Sequence, residues 1–186
     1  MNQHYIARAF ELKALAEDGS FRGYGSVFGV VDAMCDVVAP NAFDRSLASH
    51  RRAGTMPAML WQHDSRQPIG VWHGIAEDGA GLRVEGRLAL RTQGGAEAYE
   101  LLKINALNGL SIGYLAVASS LDERTGRRVL TEIDLWEVSL DTFPANPAAR
   151  VTAIKTETAS DQTIVAALAR ELDRRTQELN QMLKGQ

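Results

Sequence analysis

Apolar residues along this chain fall mostly into short runs broken by Gly, Pro and Asp, the pattern of strands closed off by turns. Residues 5–16 alternate loosely enough to be an edge strand. Residues 21–30 are rich in aromatic residues and Val, and Gly23, Gly25 and Gly29 among them predict a bend or bulge. A short strand over 34–40 ends at Pro40. Asn41 can N-cap a short helix running to about His50, with Phe43 and Leu47 on one face. Residues 57–63 are a brief apolar run with a polar end. Residues 71–90 read as two strands joined at Asp78-Gly79-Ala80-Gly81. Thr92 can cap a helix through about Ala106, with Ala98, Leu101 and Leu102 at helical spacing. Residues 110–120 and 127–140 are strand-like around an exposed turn at 122–126. Two prolines in Phe143-Pro-Ala-Asn-Pro147 break the sheet, and 150–155 reads as a last strand. After a polar link at 156–161, residues 162–184 form the clearest helix, with Ile164, Leu168, Leu172, Leu179 and Leu183 in one stripe and Thr176 interrupting it. Many short strands with few helices predict a mainly β (α+β) protein, a closed or rolled-up sheet carrying two or three helices.

The length, 186 residues, suits one domain plus an appendage, divided here as 1–157 and a helical extension 158–186. Hydrophobic residues at 45% and charged residues at 23% exclude global disorder. A net charge of −3 gives no footprint for nucleic acid. A single cysteine, Cys35, excludes an internal disulfide and CxxC zinc sites, and its plain reading is a small buried hydrophobe. Neither a signal-peptide core nor a run of about 20 apolar residues is visible, so the expectation is a soluble, intracellular protein without membrane contact.

Candidate chemistry is sparse. Gly109-Leu-Ser-Ile-Gly113 spells G-x-S-x-G, but a helix precedes it and a strand follows, the reverse of a nucleophile elbow. Ser111 is either an ordinary strand serine or a hydroxyl at the rim of a barrel. His63 closes the run Met59-Leu-Trp-Gln62, where an imidazole is either a simple polar residue or one both oriented and reachable. His63, Asp64 and His73 do not follow a recurring metal motif. Strand alternation puts Glu132 and Asp134 with Trp136 on one face, and Glu137 with Ile133, Leu135 and Ser139 on the other. A carboxylate on a mainly apolar face needs a partner. A histidine that becomes imidazolium during catalysis is one such partner, and an arginine is the other.

The stretches Gly23-Tyr-Gly-Ser-Val-Phe28, Leu60-Trp-Gln-His-Asp64, Pro68-Ile-Gly70, Gly81-Leu-Arg-Val-Glu-Gly86, Gly109-Leu-Ser-Ile-Gly-Tyr114, Leu135-Trp-Glu-Val-Ser-Leu140 and Phe143-Pro-Ala-Asn-Pro147 together resemble the caudovirus prohead serine proteases. The likeness covers about residues 5–155, in order. It implies a β-barrel with flanking helices like that of the herpesvirus assemblins. It implies a serine endopeptidase that cleaves scaffold and capsid-protein extensions inside the procapsid, in the host cytoplasm, with no metal or cofactor. Its partners would be the major capsid protein and a scaffold segment. The family's nucleophile maps onto Ser111 and its base onto His63. Glu137 is the choice for the third residue, with Asp134 and Glu132 as fallbacks. The helix after 160 lies outside the resemblance and is expected to serve association with scaffold, capsid protein or a second copy. Two other classes remain beside this reading: an assembly module with a vestigial site, and a metal-dependent hydrolase.

Overall fold

A computed structural model of the chain describes residues 16–152. Residues 5–15 of the expected first strand, and the helix expected over 162–184, lie outside them. The elements are β1 (Ser20–Val27), β2 (Asp36–Val38), α1 (Asp44–Ala53), β3 (Ala58–Trp61), β4 (Asp64–Glu77), β5 (Gly81–Leu88), α2 (Gln93–Lys103), β6 (Gly109–Asp122), β7 (Arg127–Asp141) and β8 (Val151–Thr152). Among the described residues the fold is mainly β with two helices, and the mainly β class is the one the apolar pattern predicts. No helix among the described residues is long and apolar enough to cross a membrane.

The strands form one curled sheet in the order β2-β7-β3-β4-β5-β1-β8, with β6 also on β7. β7 organises it. Along one edge it pairs antiparallel with β6 over nearly its whole length. Along the other it takes β2 near its start and β3 near its end, both parallel. At the far side of the curl, β8 pairs with β1, and Arg150 makes an isolated bridge to Gly109 at the start of β6. Leu110 N–H donates to Ala149 O at 3.1 Å and Val151 N–H to Asn108 O at 2.8 Å beside that bridge. Here β1 needs a glycine. A Cβ on Gly23 would overlap Arg150 O and crowd the Leu110 side chain.

The core includes Phe21, Met59, Leu82, Val84, Leu110, Ile133, Leu135 and Leu140, with Phe43 and Leu47 of the α1 region and Ala98 and Leu102 of α2 packed onto it. Local signals account for several boundaries. Thr92 Oγ1 accepts Gly95 N–H at 3.2 Å and caps α2 as expected, although the helix stops at Lys103 rather than Ala106. Asp78 Oδ1 accepts the N–H groups of Ala80 and Gly81 and folds the β4–β5 turn.

Three expectations change. Asn41 is not the cap of α1. It has φ +67°, and the residue at the cap position is Phe43, without a side-chain bond. The Glu77 carboxylate at the end of β4 accepts the N–H groups of Asn41 (2.6 Å) and Phe43 (2.7 Å) instead, so a distant acid serves the start of this helix. Cys35 is exposed rather than buried, with φ +63°. It stands in a turn that Asp32 Oδ1 folds by accepting the N–H groups of Met34 and Asp36, both at 2.8 Å. Finally, β4 begins at Asp64, not at Val71, because the chain reverses between Trp61 and Asp64.

Candidate active site

That reversal contains His63. Trp61 pairs with Asp64, and the two residues between them, Gln62 and His63, have φ +51° and +61°. Two-residue hairpin turns of this handedness ordinarily use Asn-Gly or Asp-Gly. Holding a glutamine and a histidine there costs of order 1–3 kcal/mol each, which neighbouring structure has to offset. Three bonds do so. Gln62 N–H donates to Leu140 O at 3.0 Å, Gln62 Nε2 donates to Thr142 Oγ1 at 2.7 Å, and His63 N–H donates to Ser139 Oγ at 3.2 Å. The turn is thereby fastened to the end of β7.

β7 does not alternate evenly. Its core positions are Ile133 and Leu135, then Val138 and Leu140. The phase changes at a bulge, where Gly113 pairs with Glu137 but Tyr114 with Leu135, leaving Trp136 as the extra residue, 61% exposed. Glu137 therefore does not share its face with Ile133 and Leu135, as even alternation predicts. It shares a face with Ser139, on the side away from the core, yet it is buried. His63 Nδ1 hydrogen-bonds to Glu137 Oε1, and Ser139 Oγ donates to Glu137 Oε2 at 2.5 Å. Gly113 makes the space: a Cβ there would overlap Glu137 Oε1 and crowd the rest of the carboxyl group. Gly109, the other glycine of G-x-S-x-G, would drive a Cβ into Asp141 O and Pro144. The two glycines are thus steric requirements of the β6–β7 pairing, not parts of an elbow.

A second carboxylate reaches the imidazole. Asp141 Oδ2 lies 3.5 Å from His63 Nε2, and Asp141 Oδ1 accepts Phe143 N–H at 3.1 Å. The hydrogen bond to Glu137 pushes the His63 pKa above its ordinary value. Partial burial opposes this, and the charges of Glu137 and Asp141 reinforce it. Asp64 is turned away, its carboxylate held low by hydrogen bonds from Arg66 and Gln67. His73 is exposed on β4. Among the described residues no three His, Cys, Asp or Glu side chains converge as metal ligands do.

Ser111 is buried and pairs with Ser139 across the β6–β7 ladder. With His63 it lines a cleft of about 190 Å³, together with Ser26, Asp32, Met34, Ile112 and Tyr114 among others. No hydrogen bond joins Ser111 to the imidazole. Such bonds often tighten only when substrate arrives. The fallback acids lie elsewhere. Glu132 pairs with Arg45 at 2.9 Å, and Asp134 accepts from Ser46 Oγ (3.2 Å) and Trp136 Nε1 (3.0 Å). Asp141 belongs to no motif, and its one sequence signal is that it continues the spacing Glu137, Ser139, Asp141 on one strand face.

The chain belongs to the caudovirus prohead serine protease family, whose model matches residues 6–163. It is 33% identical over 141 residues to the prohead protease of Enterobacteria phage HK97, covering 75% of this chain and 61% of that one. It is 26% identical over 142 residues to the prohead protease of Escherichia phage T5, covering 76% and 66%. The chain thus spans about two thirds or less of these relatives' length. Its fold is similar to that of the bacteriophage T4 capsid assembly protease, with a TM-score of 0.52 at 11% identity over 65% of this chain and 81% of that one.

Proposed function

We propose that the chain is a serine endopeptidase of capsid maturation, with Ser111 as nucleophile, His63 as general base and acid, and Glu137 as the group that orients and stabilises the imidazole. The observation that carries this reading is the His63 Nδ1–Glu137 pair, set beside Ser111 in one cleft by a strained turn. With Nδ1–H committed to Glu137, the neutral ring has its lone pair on Nε2. Nε2 takes the Ser111 proton as Oγ bonds to the peptide carbonyl carbon. The resulting imidazolium, stabilised by Glu137, gives that proton to the departing amine as the C–N bond breaks. Water then attacks the acyl-ester, delivering one proton through His63 back to Ser111 Oγ. Ser139 fixes the other Glu137 oxygen, so the carboxylate has little freedom to turn.

The substrates in this reading are the scaffold segment and capsid-protein extensions, met inside the assembling procapsid. The family and the named relatives support that assignment. The Gly109–Arg150 bridge supports a finer statement of the fold, an assemblin-like barrel closed at a single narrow seam.

The test is co-expression of the full chain with its cognate capsid protein, read by intact mass, beside labelling of the purified chain with a fluorophosphonate. Cleavage lost in Ser111→Ala, and phosphonate found on Ser111 by peptide mapping, are the expected results. Wild-type cleavage in Ser111→Ala would overturn the nucleophile. A chain that neither cleaves nor labels would be a non-enzymatic assembly module.

A further inference from the structure

Ser26 carries the strongest unexplained feature of the cleft. It is 1% exposed, and its Oγ is the one buried side-chain nitrogen or oxygen among the described residues with no hydrogen-bond partner. Buried polar groups are nearly always paired, and leaving one unpaired costs free energy that a functional site can justify. β1 has its register shift between Tyr24 and Ser26, and such irregularities re-aim side chains. Next to it Gly25 faces the core, its Cβ position 3.0 Å from Val138 Cγ1 and 3.5 Å from Ile112 Cγ2. The nearby Asn146 amide is used elsewhere, donating to Val27 O (2.9 Å) and accepting Ala148 N–H (3.1 Å).

Ser26 lines the same cleft as Ser111 and His63. We propose that Ser26 is a specificity-determining residue, hydrogen-bonding the tip of the substrate side chain on the acyl side of the scissile bond. The side chain it selects has an apolar stem and an N–H-bearing tip, as in Lys, Gln or Asn. This rests on Ser111 being the nucleophile, because the acyl-side residue is then the one nearest the cleft.

The stem follows from the walls, Met34, Val38, Ile112, Tyr114 and Ala145. The volume, about 190 Å³, suits one side chain rather than a drug-sized ligand. Met34 is 72% exposed and unbranched, so this wall can yield as a side chain enters. The tip follows from charge. Asp32 lines the cleft and no Lys or Arg lines it, so a substrate carboxylate there would face a like charge. An N–H tip that enters past the Met34 wall finds a hydroxyl free to accept, in a cleft that Asp32 also lines.

The experiment uses the purified full chain, wild type and Ser26→Ala, on a proteome-derived peptide mixture, with new termini identified by mass spectrometry. Matched peptides differing only in Gln, Lys, Met or Glu before the cleaved bond then give kcat/KM. The wild type is expected to favour Lys, Gln or Asn. Ser26→Ala is expected to lower the Gln-to-Met and Lys-to-Met ratios about tenfold, roughly one net hydrogen bond. It is also expected to melt no lower than the wild type, since it removes an unpaired hydroxyl. Unchanged ratios, a lower melting temperature, or a wild-type preference for Glu or Asp would each overturn the proposal. A wild type that does not take up fluorophosphonate on Ser111 would instead overturn the nucleophile assignment on which the proposal stands.

Discussion

β7 carries two groups of acidic residues with opposite surroundings. Glu132 and Asp134 precede the bulge at Trp136, on the side away from the core, and meet Arg45, Ser46 and the Trp136 indole. Glu137 and Asp141 follow the bulge and meet His63 from two sides. The residue types are alike, and so is the strand. What differs is the neighbour on each side. After the bulge β7 lies between β6, which contributes the Cβ-free Gly113, and β3, whose hairpin turn contributes His63. Before it, β7 faces the polar side of α1. An acid on this strand gains a chemical role from what the adjoining strands place over it.

Breaking the second group should have the largest effect. Glu137→Gln keeps the shape and removes the charge that, in the proposed mechanism, favours the imidazolium and its tautomer. The fluorophosphonate labelling rate of Ser111, and the rate of capsid-protein cleavage, should fall by about 10³–10⁴-fold, the order seen when the acid of a serine triad is neutralised. A loss under tenfold would remove Glu137 from the proposed triad.

Gly113→Ala attacks the same group from β6. The added methyl cannot coexist with the Glu137 carboxyl where it stands, so one of them moves. A displacement near 1 Å is worth about 100-fold in rate. Overpacking should also destabilise the fold by about 1–3 kcal/mol in denaturant unfolding. Wild-type labelling by a fully folded Gly113→Ala chain would show that Glu137 has more freedom than its bonds to His63 and Ser139 imply.

Asp141→Asn tests the other side of the ring. The hydrogen bond that His63 donates to Glu137 and the charge of Asp141 both raise the His63 pKa. In the proposed mechanism His63 acts as base only when neutral, so activity should rise through a pKa above about 6.5. Removing the Asp141 charge should move that limb to lower pH, raising the rate on its acid side. The stability sign is fixed by the same shift. Pairing of the imidazolium stabilises the fold below about pH 6.5 and is lost as pH rises through the raised folded value. Asp141→Asn should narrow that window. An unmoved limb, or one moved to higher pH, would sink this account of Asp141.

Legibility from sequence followed distance along the chain. The Thr92 cap and the Asp78 turn are made by side chains bonding backbone two or three residues away, and both were readable. The α1 cap was not, because Glu77 supplies it from another strand. The Gln62–His63 turn was hidden because neither residue is one that positive φ favours. Even alternation picked Glu137 out, but it put the residue on the face of Ile133 and Leu135. The bulge that moves it leaves no mark in the residues around Trp136. The glycines of Gly109-Leu-Ser-Ile-Gly113 were visible as letters, and only the pairing of β6 with β7 shows what they clear.

The smallest effect belongs to the first group. Arg45 and Glu132 form an exposed pair, the arginine side chain 79% accessible. Such pairs contribute about 0–1 kcal/mol, and less at high salt. Glu132→Gln should therefore leave Ser111 labelling within twofold of wild type and shift unfolding free energy by less than about 1 kcal/mol, a difference that shrinks as salt is added. The variant sits on the same strand as Glu137 and removes the same charge, so it controls for the acidity of β7 as a whole. A large loss of labelling would mean that the α1 side of β7 communicates with the cleft, and the division of this strand at Trp136 would have to be abandoned.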